Sequence, residues 1–376
     1  MREIFVAGSG TVPVSNKHPL GSGRVLARQA GLAAMRDAGC TYKDIDALYA
    51  GTVMPTSPAA VLVGKEFGLT GIPVVQVSNA SASGLAAAHE ALNAMEAGTA
   101  DVVLLIGYDV PTNTDNPIAA QGYLPPVALF AMWAQRRMHD IGTKPEHFAM
   151  IAAKNWNYAR DIPFAARRPD HEVTVEEVLA SKEIAPPMTA MMITPWVYGA
   201  AAVVLATREG LKRLKNARWP MARIASSEFQ TEIYGDCHII EGAIVGPPEI
   251  SKTTVAAALD KAGVGPKDVD IVQVHDGFAV EELVYCELFG FTQPGETEAL
   301  LEKGAFGPGS RAKFGLPEVS TDGGLIARGH PAGPTGVFQL IETNRRFRNF
   351  DDKVGICHLL GAGSTCITQI LTRTDS

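Results

Sequence analysis

The 376-residue chain has only five cysteines (Cys40, Cys237, Cys286, Cys357 and Cys366), an odd number without metal-site spacing. Their scarcity excludes a disulfide framework and a zinc site, and predicts a reducing, cytoplasmic setting with no bound metal. Positive charge is scarce as well: 33 Lys and Arg face 40 Asp and Glu, a net charge of −7. No basic stripe is left to follow a nucleic acid, and the densest basic run, Arg345-Arg346-Phe347-Arg348, reads as a solvated helix end. No apolar run approaches the ~18 residues of a membrane span. The opening "MREIFVAGSG" is expected to be a short strand and a turn, not a secretory signal, and the closing "TRTDS" is not a peroxisomal address. Two other leads also fail. "VAGSG" lacks the third glycine and the helix start of a dinucleotide fingerprint, and the Met-rich "PPMTAMMITPW" reads as core or pocket lining, because thioethers alone suit few ions.

What is present is an ordinary globular composition, with 46% hydrophobic residues, 37 Gly and 24 Pro. It is also a chain that repeats itself. "AAMRDAGCTYKDIDAL" (33–48) and "AALDKAGVGPKDVDIV" (257–272) share Ala-Ala, an apolar residue, Ala-Gly and Lys-Asp-apolar-Asp at equal spacing. Each copy predicts an amphipathic helix ended by a glycine (Gly39, Gly263), then a turn and a buried strand. A second echo follows in the same order, residues 81–107 against 332–363: small-residue corner, helix, polar turn, apolar strand, glycine. Two ordered matches predict a duplication. Alternating apolar strands and helices predict an α/β fold with a mostly parallel sheet covered on both faces. The N-terminal half is read as 1–110 with 191–246, and the C-terminal half as 247–376. Residues 111–190, rich in Pro, Met, Trp and Arg, are read as a substrate-covering lobe inserted between two strands.

Four corners carry candidate chemistry: "SNASASG" (78–84), "VHDGF" (274–278), "GGLIARGHPAGPTG" (323–336) and "CHLLGAGS" (357–364). In the first, a strand runs into a helix at Ser81, where backbone N–H groups and the helix dipole favour negative charge. His275, His330 and His358 each stand at such a corner beside glycines. Three corner histidines point to acid–base work more strongly than any one of them, since histidine titrates near neutral pH. Two packed halves would bring these corners together at one crevice.

Together the motifs resemble those of the thiolase superfamily, in its sterol-carrier-protein-type and archaeal-like acetyl-CoA acyltransferase branch, over nearly the whole chain. "HDGF" is similar to that branch's HDxF motif and "GHPAGPTG" to its GHPxGxTG motif. "VTVEEVLASKEIAPPMTAMMITPWVYGAAAVVLAT" resembles its segment leading into the last strand of the N-terminal half. The resemblance implies two βαβαβ-type halves in an α-β-α-β-α core with an inserted loop domain. It implies an acyl-CoA-dependent enzyme that makes or breaks a carbon–carbon bond beside a thioester, in lipid or aromatic acyl-CoA degradation. Coenzyme A would be substrate or product, with no cofactor held covalently. The nucleophile would stand at position 81, His330 would activate it and His275 would help hold the thioester oxygen. Backbone N–H groups at Ser81 and Gly361 would form a second oxyanion hole. The expected partners are a second copy, as homodimer or dimer of dimers, and a small zinc-ribbon/OB-fold protein.

The chain departs from that pattern at its reactive positions. The family carries a cysteine nucleophile where this chain has Ser81. Its second, acid/base cysteine aligns with Gly277 or Leu359. Cys357, two residues early, and His358 are then the candidates for that acid/base. A hydroxyl needs an adjacent base to act as a nucleophile, whereas a thiol is intrinsically reactive. Ser81 therefore has three readings: a Cys→Ser exchange in a 3-oxoacyl-CoA thiolase, a natural thiolase-like retro-aldolase acting on a 3-hydroxyacyl-CoA, or a mere helix cap in a non-catalytic scaffold. Tyr123, Phe130, Trp133 and Trp196 suggest a roomy or aromatic acyl pocket.

Overall fold

The computed structural model describes residues 2–17, 22–53, 58–110, 124–233, 245–246 and 248–376. Its strands are β1 (Ile4–Ser15), β2 (Ala47–Gly51), β3 (Val74–Val77), β4 (Val102–Asp109), β5 (Glu183–Ala185), β6 (Met188–Thr189), β7 (Tyr198–Thr207), β8 (Met221–Gln230), β9 (Ile271–Gln273), β10 (Glu318–Val319), β11 (Val354–Gly361) and β12 (Thr365–Thr374). All but the β5–β6 ribbon join in one sheet of order β10-β9-β11-β12-β8-β1-β7-β4-β2-β3. Read outward from its centre, the order is the same motif twice: β1-β7-β4-β2-β3 on one side and β8-β12-β11-β9-β10 on the other. The two fives meet at a single residue pair, Phe5 with Arg223.

The duplication is visible in the bonds as well as the order. Both repeat helices, Gly23–Ala38 and Glu249–Ala262, end on a left-handed glycine, Gly39 at φ 71° and Gly263 at φ 70°. The first aspartate of each Lys-Asp-apolar-Asp motif then caps the turn, Asp44 accepting from the Thr41 N–H and Asp268 from the Gly265 N–H, both at 2.8 Å. The second aspartate clamps the start of a neighbouring strand. Asp46 accepts from the N–H groups of Asp101 and Val102, and Asp270 from those of Lys353 and Val354.

Two expectations need correction. The sheet is mixed: β2 runs parallel to β3 and β4, and β9 to β10 and β11, but every contact of β1, β7, β8 and β12 is antiparallel. The boundary between the halves also lies earlier than residue 247. β8 pairs with β12 along its whole length and takes the place in the second half that β1 takes in the first, so the division falls before Met221. In addition, β1 runs through the "VAGSG" stretch to Ser15 rather than turning there. Its glycines are packing residues: a Cβ on Gly8 would lie 2.6 Å from the Ala34 carbonyl oxygen, and one on Gly10 2.3 Å from that of Ala30.

Three apolar layers result. One packs helix Gly23–Ala38 on the outer face of the first half, and another packs helices Glu249–Ala262 and Ala279–Leu288 on the outer face of the second. The middle layer holds helices Ser83–Glu96 and Thr335–Asn349, covered by both halves. These two central helices touch at their first turns, where Gly84 and Gly336 leave no space for a side chain: a Cβ on Gly84 would sit 2.6 Å from the Gly333 carbonyl oxygen. That crossing brings the "SNASASG" and "GHPAGPTG" corners together.

The described part of the insertion, residues 124–190, forms helices Pro126–Ile141, Pro145–Ala159 and Val175–Ala180 with the β5–β6 ribbon. It is fastened to the second half by Arg137, a buried guanidinium bonded to Glu287 and, at 2.9 Å, to Glu298. Among the described residues no helix is long and apolar enough to cross a membrane.

Candidate active site

The corner after β3 is shaped by its own small residues. Ala80 adopts φ 47°, unusual for a residue with a side chain. The Ser83 hydroxyl closes the turn, accepting from the Asn79 N–H at 2.8 Å and donating to the Ala80 carbonyl at 2.7 Å. The N-cap of the following helix is Ala82, with no side-chain cap bond, so the expectation of Ser81 as a mere cap is corrected. Its Oγ lies 2.9 Å from Nε2 of His330.

His330 is oriented from behind. Its Nδ1 lies 2.6 Å from Thr335 Oγ1, and that hydroxyl lies 2.9 Å from the Pro331 carbonyl oxygen. A carbonyl only accepts, so the threonine hydroxyl donates to it and accepts from Nδ1–H. The lone pair of His330 therefore sits on Nε2, facing Ser81. Burial, then the neighbouring charges of His275 and Arg328, hold His330 well below the ordinary histidine range, so at neutral pH it is an unprotonated base. The loop around it is anchored across the two halves by Asp109, which accepts from the N–H groups of Gly333 at 2.5 Å and Val53 at 3.1 Å. Arg328, fully buried, bonds Asp322 at 2.6 Å beneath the same loop.

His275 meets His330 edge-on, with ring centroids 5.1 Å apart. Its Nδ1 lies 2.8 Å from Glu281 Oε1, and its Nε2 is buried with no partner among the described residues. Burial is the largest influence on this ring and pulls its pKa down. The Glu281 charge and hydrogen bond, with Asp276, overcome it, and His275 ends above the ordinary value. The site thus pairs an unprotonated acceptor, His330, with His275, whose Nδ1 is held by Glu281. Asp276, the second residue of "HDGF", points the other way. It accepts from the Leu325 N–H and from Asn155 Nδ2, both at 2.8 Å, and so ties the lobe and the "GGL" turn to this corner.

Gly361 closes the far side. A Cβ there would stand 3.0 Å from the Asn79 carbonyl oxygen and 3.1 Å from the Ala82 nitrogen, so its backbone abuts the Ser81 corner. Ser81, His330, His275 and Gly361 are therefore brought together. Cys357 and His358 are not, and as acid/base candidates both are corrected. Cys357 is buried against Thr343, Sγ to Oγ1 3.3 Å, and burial pushes its thiol up to about 12. His358 points to the opposite face of β11, its nitrogens satisfied by Thr368 at 2.9 Å and Ser251 at 3.0 Å, and burial pushes it down to about 3. The four described cysteines are unpaired, and Leu359 is fully buried in the middle layer.

The lobe and the segment after it are held to this cleft through backbone bonds. The N–H groups of Ala166 and Arg167 in the lobe donate to the carbonyls of Arg328 and Ala327, and that of Thr194, just beyond it, donates to the Gly277 carbonyl at 2.9 Å. Phe130 stacks on Phe278 at 4.6 Å, with Trp133 edge-on to it at 5.0 Å, which places two of the suggested pocket aromatics beside "HDGF". Trp196 is 73% exposed, and Tyr123 lies outside the described residues. Two of the contacts in this site, Asp109 and Glu281, lie outside the motifs, while Thr335 is the threonine of "GHPAGPTG", where sequence alone assigned it no partner. Glu281 carried a local signal, an acid three residues after Phe278 at a helix start, where it accepts from the Phe278 N–H.

Comparison with known proteins bears on this arrangement. A model of the thiolase N-terminal domain matches residues 20–125, and a model described as thiolase C-terminal domain-like matches 248–357. An acetyl-CoA acetyltransferase of Methanothermobacter thermautotrophicus is 30% identical, over 99% of this chain and 100% of the relative. The benzoylsuccinyl-CoA thiolase subunit BbsB of Thauera aromatica is 30% identical over 93% and 90%, and human sterol carrier protein 2 is 28% identical over 98% and 72%. Among solved structures, an Ltp2-ChsH2(DUF35) aldolase superposes with a TM-score of 0.81 at 22% identity, covering 98% of this chain and 97% of that one. Human mitochondrial 3-ketoacyl-CoA thiolase superposes with a TM-score of 0.71 at 19% identity, covering 99% of each chain.

Proposed function

The chain belongs to the thiolase family, and on that premise we propose that it makes or breaks the carbon–carbon bond beside the thioester of a 3-oxoacyl-CoA, as an acyl-CoA C-acyltransferase. The observation that carries this is the opposed histidine pair: His330 bonded to Ser81, and His275, its Nε2 without a partner among the described residues, 5.1 Å away ring to ring. In cleavage, the side chain at 81 loses its proton to His330 Nε2 and attacks the 3-oxo carbon. The bond between carbons 2 and 3 then breaks, its electron pair enters the thioester as an enolate, and carbon 2 takes the proton from His330 to release that thioester fragment. Free coenzyme A then gives its thiol proton to His330, its sulfur attacks the acyl carbon, and the proton passes to the residue-81 oxygen as the ester bond breaks. Pre-aimed donors matter most where the oxygen charge develops, each about 2.7–4 kcal/mol. His275 Nε2–H and the backbone at Ser81 and Gly361 are the groups assigned to that task.

One observation favours a second reading, retro-aldol cleavage of a 3-hydroxyacyl-CoA. Position 81 holds an oxygen nucleophile, and Gly277 and Leu359 offer no thiol to the site. A retro-aldolase needs only a base for the 3-hydroxyl and a donor for the enolate, which His330 and His275 supply. A match to a solved aldolase supports the same reading.

Coenzyme A is the shared substrate handle in both. A second copy is the proposed partner, seated along the edge strand β3, whose four residues are all half-buried, beside the exposed Val61, Leu62 and Leu69. A small zinc-ribbon partner is proposed from the DUF35 in the name of the solved aldolase. The proposed setting is cytoplasmic. The deciding experiment gives the protein and its Ser81→Cys variant a 3-oxoacyl-CoA with free coenzyme A and, separately, a 3-hydroxyacyl-CoA alone. Thiolysis is expected to rise sharply in the cysteine variant. Cleavage of the hydroxy substrate by the serine form without added coenzyme A would move the assignment to the aldolase, and no turnover by either would overturn both.

A further inference from the structure

Glu281 is a carboxylate with no exposure to solvent, held at the wall of the cleft by three donors. Its Oε2 accepts from the Phe278 N–H at 3.0 Å, and its Oε1 faces His275 Nδ1 at 2.8 Å and the Tyr285 hydroxyl at 3.4 Å. The adjoining residue, Gly277, has no side chain, and the space beside it is already filled. A Cβ at 277 would stand 3.2 Å from Glu281 Oε2 and 3.2 Å from His275 Cε1, closer than such atoms ordinarily approach.

We propose that Glu281 is a positioning residue for the reaction, keeping His275 in the imidazolium form so that its Nε2–H points at the thioester oxygen, and that position 277 is glycine because the carboxylate occupies the room its side chain would need. The proposal rests on the acyl-CoA reading above. Its physical basis is that a ring buried as deeply as His275 would give up its charge unless a counter-charge were built beside it. The other titratable groups beside His275 are His330, Asp276 and His358, and Tyr285 is bonded to Glu281 itself. His330 and His358 are driven towards the neutral state, so they add no stable positive charge, and Asp276 is engaged by Leu325 and Asn155. Among the described residues, Glu281 is the carboxylate hydrogen-bonded to the ring. A donor carrying full charge makes a stronger bond to a developing enolate than a neutral one.

The test is Glu281→Gln in the full chain, where the amide oxygen can still accept from Phe278. The expected result is a kcat about 100-fold lower with KM changed less than about threefold. The basic limb of the pH profile should move to lower pH, because His275 then loses its proton sooner. A merely structural role would lower activity without moving that limb. Glu281→Asp should restore part of the rate and part of the limb. Nitrogen-15 histidine spectra give a readout free of substrate: both His275 nitrogens protonated at neutral pH in the wild type, one in Glu281→Gln. A charged ring that neutralises in the variant supports the dyad even where the chosen acyl-CoA is not turned over, which separates failure of this proposal from failure of the acyl-CoA reading. A neutral His275 in the wild type, or an unmoved basic limb in an active Glu281→Gln, overturns it. Should that variant fold poorly, Gly277→Ala crowds the same carboxylate and must move the limb in the same direction.

Discussion

Replacing His330 with asparagine is expected to lower kcat about 1000-fold, within the range of 10²–10⁴ set by positioned general bases, and to leave KM nearly unchanged. His330 is the only side chain hydrogen-bonded to Ser81 Oγ among the described residues, and Thr335 fixes the tautomer that gives it a free lone pair there. Asparagine fills similar space without a basic nitrogen, so loss of rate with intact binding isolates the proton transfer. The sign of the pH dependence follows from the two rings. His330 must be unprotonated, and burial lowers its pKa, so the acid limb of kcat/KM should fall below the ordinary histidine value. His275 must be protonated, and Glu281 raises it against burial, so the basic limb should fall above that value. A bell-shaped profile astride ~6.5 is the expected outcome. An acid limb above it, or a His330→Asn enzyme within tenfold of wild type, would remove His330 from its assigned role.

The largest expected effect on stability comes from Asp322→Asn. Arg328 and Asp322 are both fully shielded from water and meet at 2.6 Å beneath the loop that carries His330. Removing one charge leaves the other buried, a loss of about 3–5 kcal/mol. The Phe338 ring lies 5.1 Å from the Arg328 guanidinium and cannot replace a full negative charge. Asp322 Oδ1 also accepts from the Gly324 N–H at 3.0 Å, and an asparagine oxygen can retain that bond. The loss should therefore report the ion pair rather than the turn. It is read as a lower urea midpoint at fixed protein concentration with unchanged slope. Adding Arg328→Met to the same chain should recover part of it, since an apolar pair of similar size needs no counter-charge. A midpoint that barely moves would show that the guanidinium finds another partner.

The duplication was legible because its markers are local. A glycine must end the helix where φ turns positive, and an aspartate five residues on caps the next turn, so Gly39 and Asp44 leave the same imprint as Gly263 and Asp268. The boundary between the halves was not legible, because β8 is assigned by its partner β12, 135 or more residues away in the chain. Parallel and antiparallel strands with both faces buried look alike in sequence, which is why the sheet was expected to be mostly parallel. Among the three corner histidines, sequence could not tell the two that meet from the one that does not. His358 and Leu359 are adjacent in β11, and one step along a strand reverses the face. His358 points into the outer layer towards Ser251 and Thr368.

Sequence by itself determined the family motifs, the repeat and the anomaly at Ser81, since each depends on residue types at fixed short spacing. Tertiary structure alone decided how those residues are disposed. His330 presents an unprotonated nitrogen to Ser81 because a threonine five residues on holds its far nitrogen, and because burial disfavours its charge. His275 keeps its Nδ1 on Glu281, which is folded back beside it in the space left by a glycine. Protonation states depend on distance and on exclusion of water, and neither exists until the two halves have packed together.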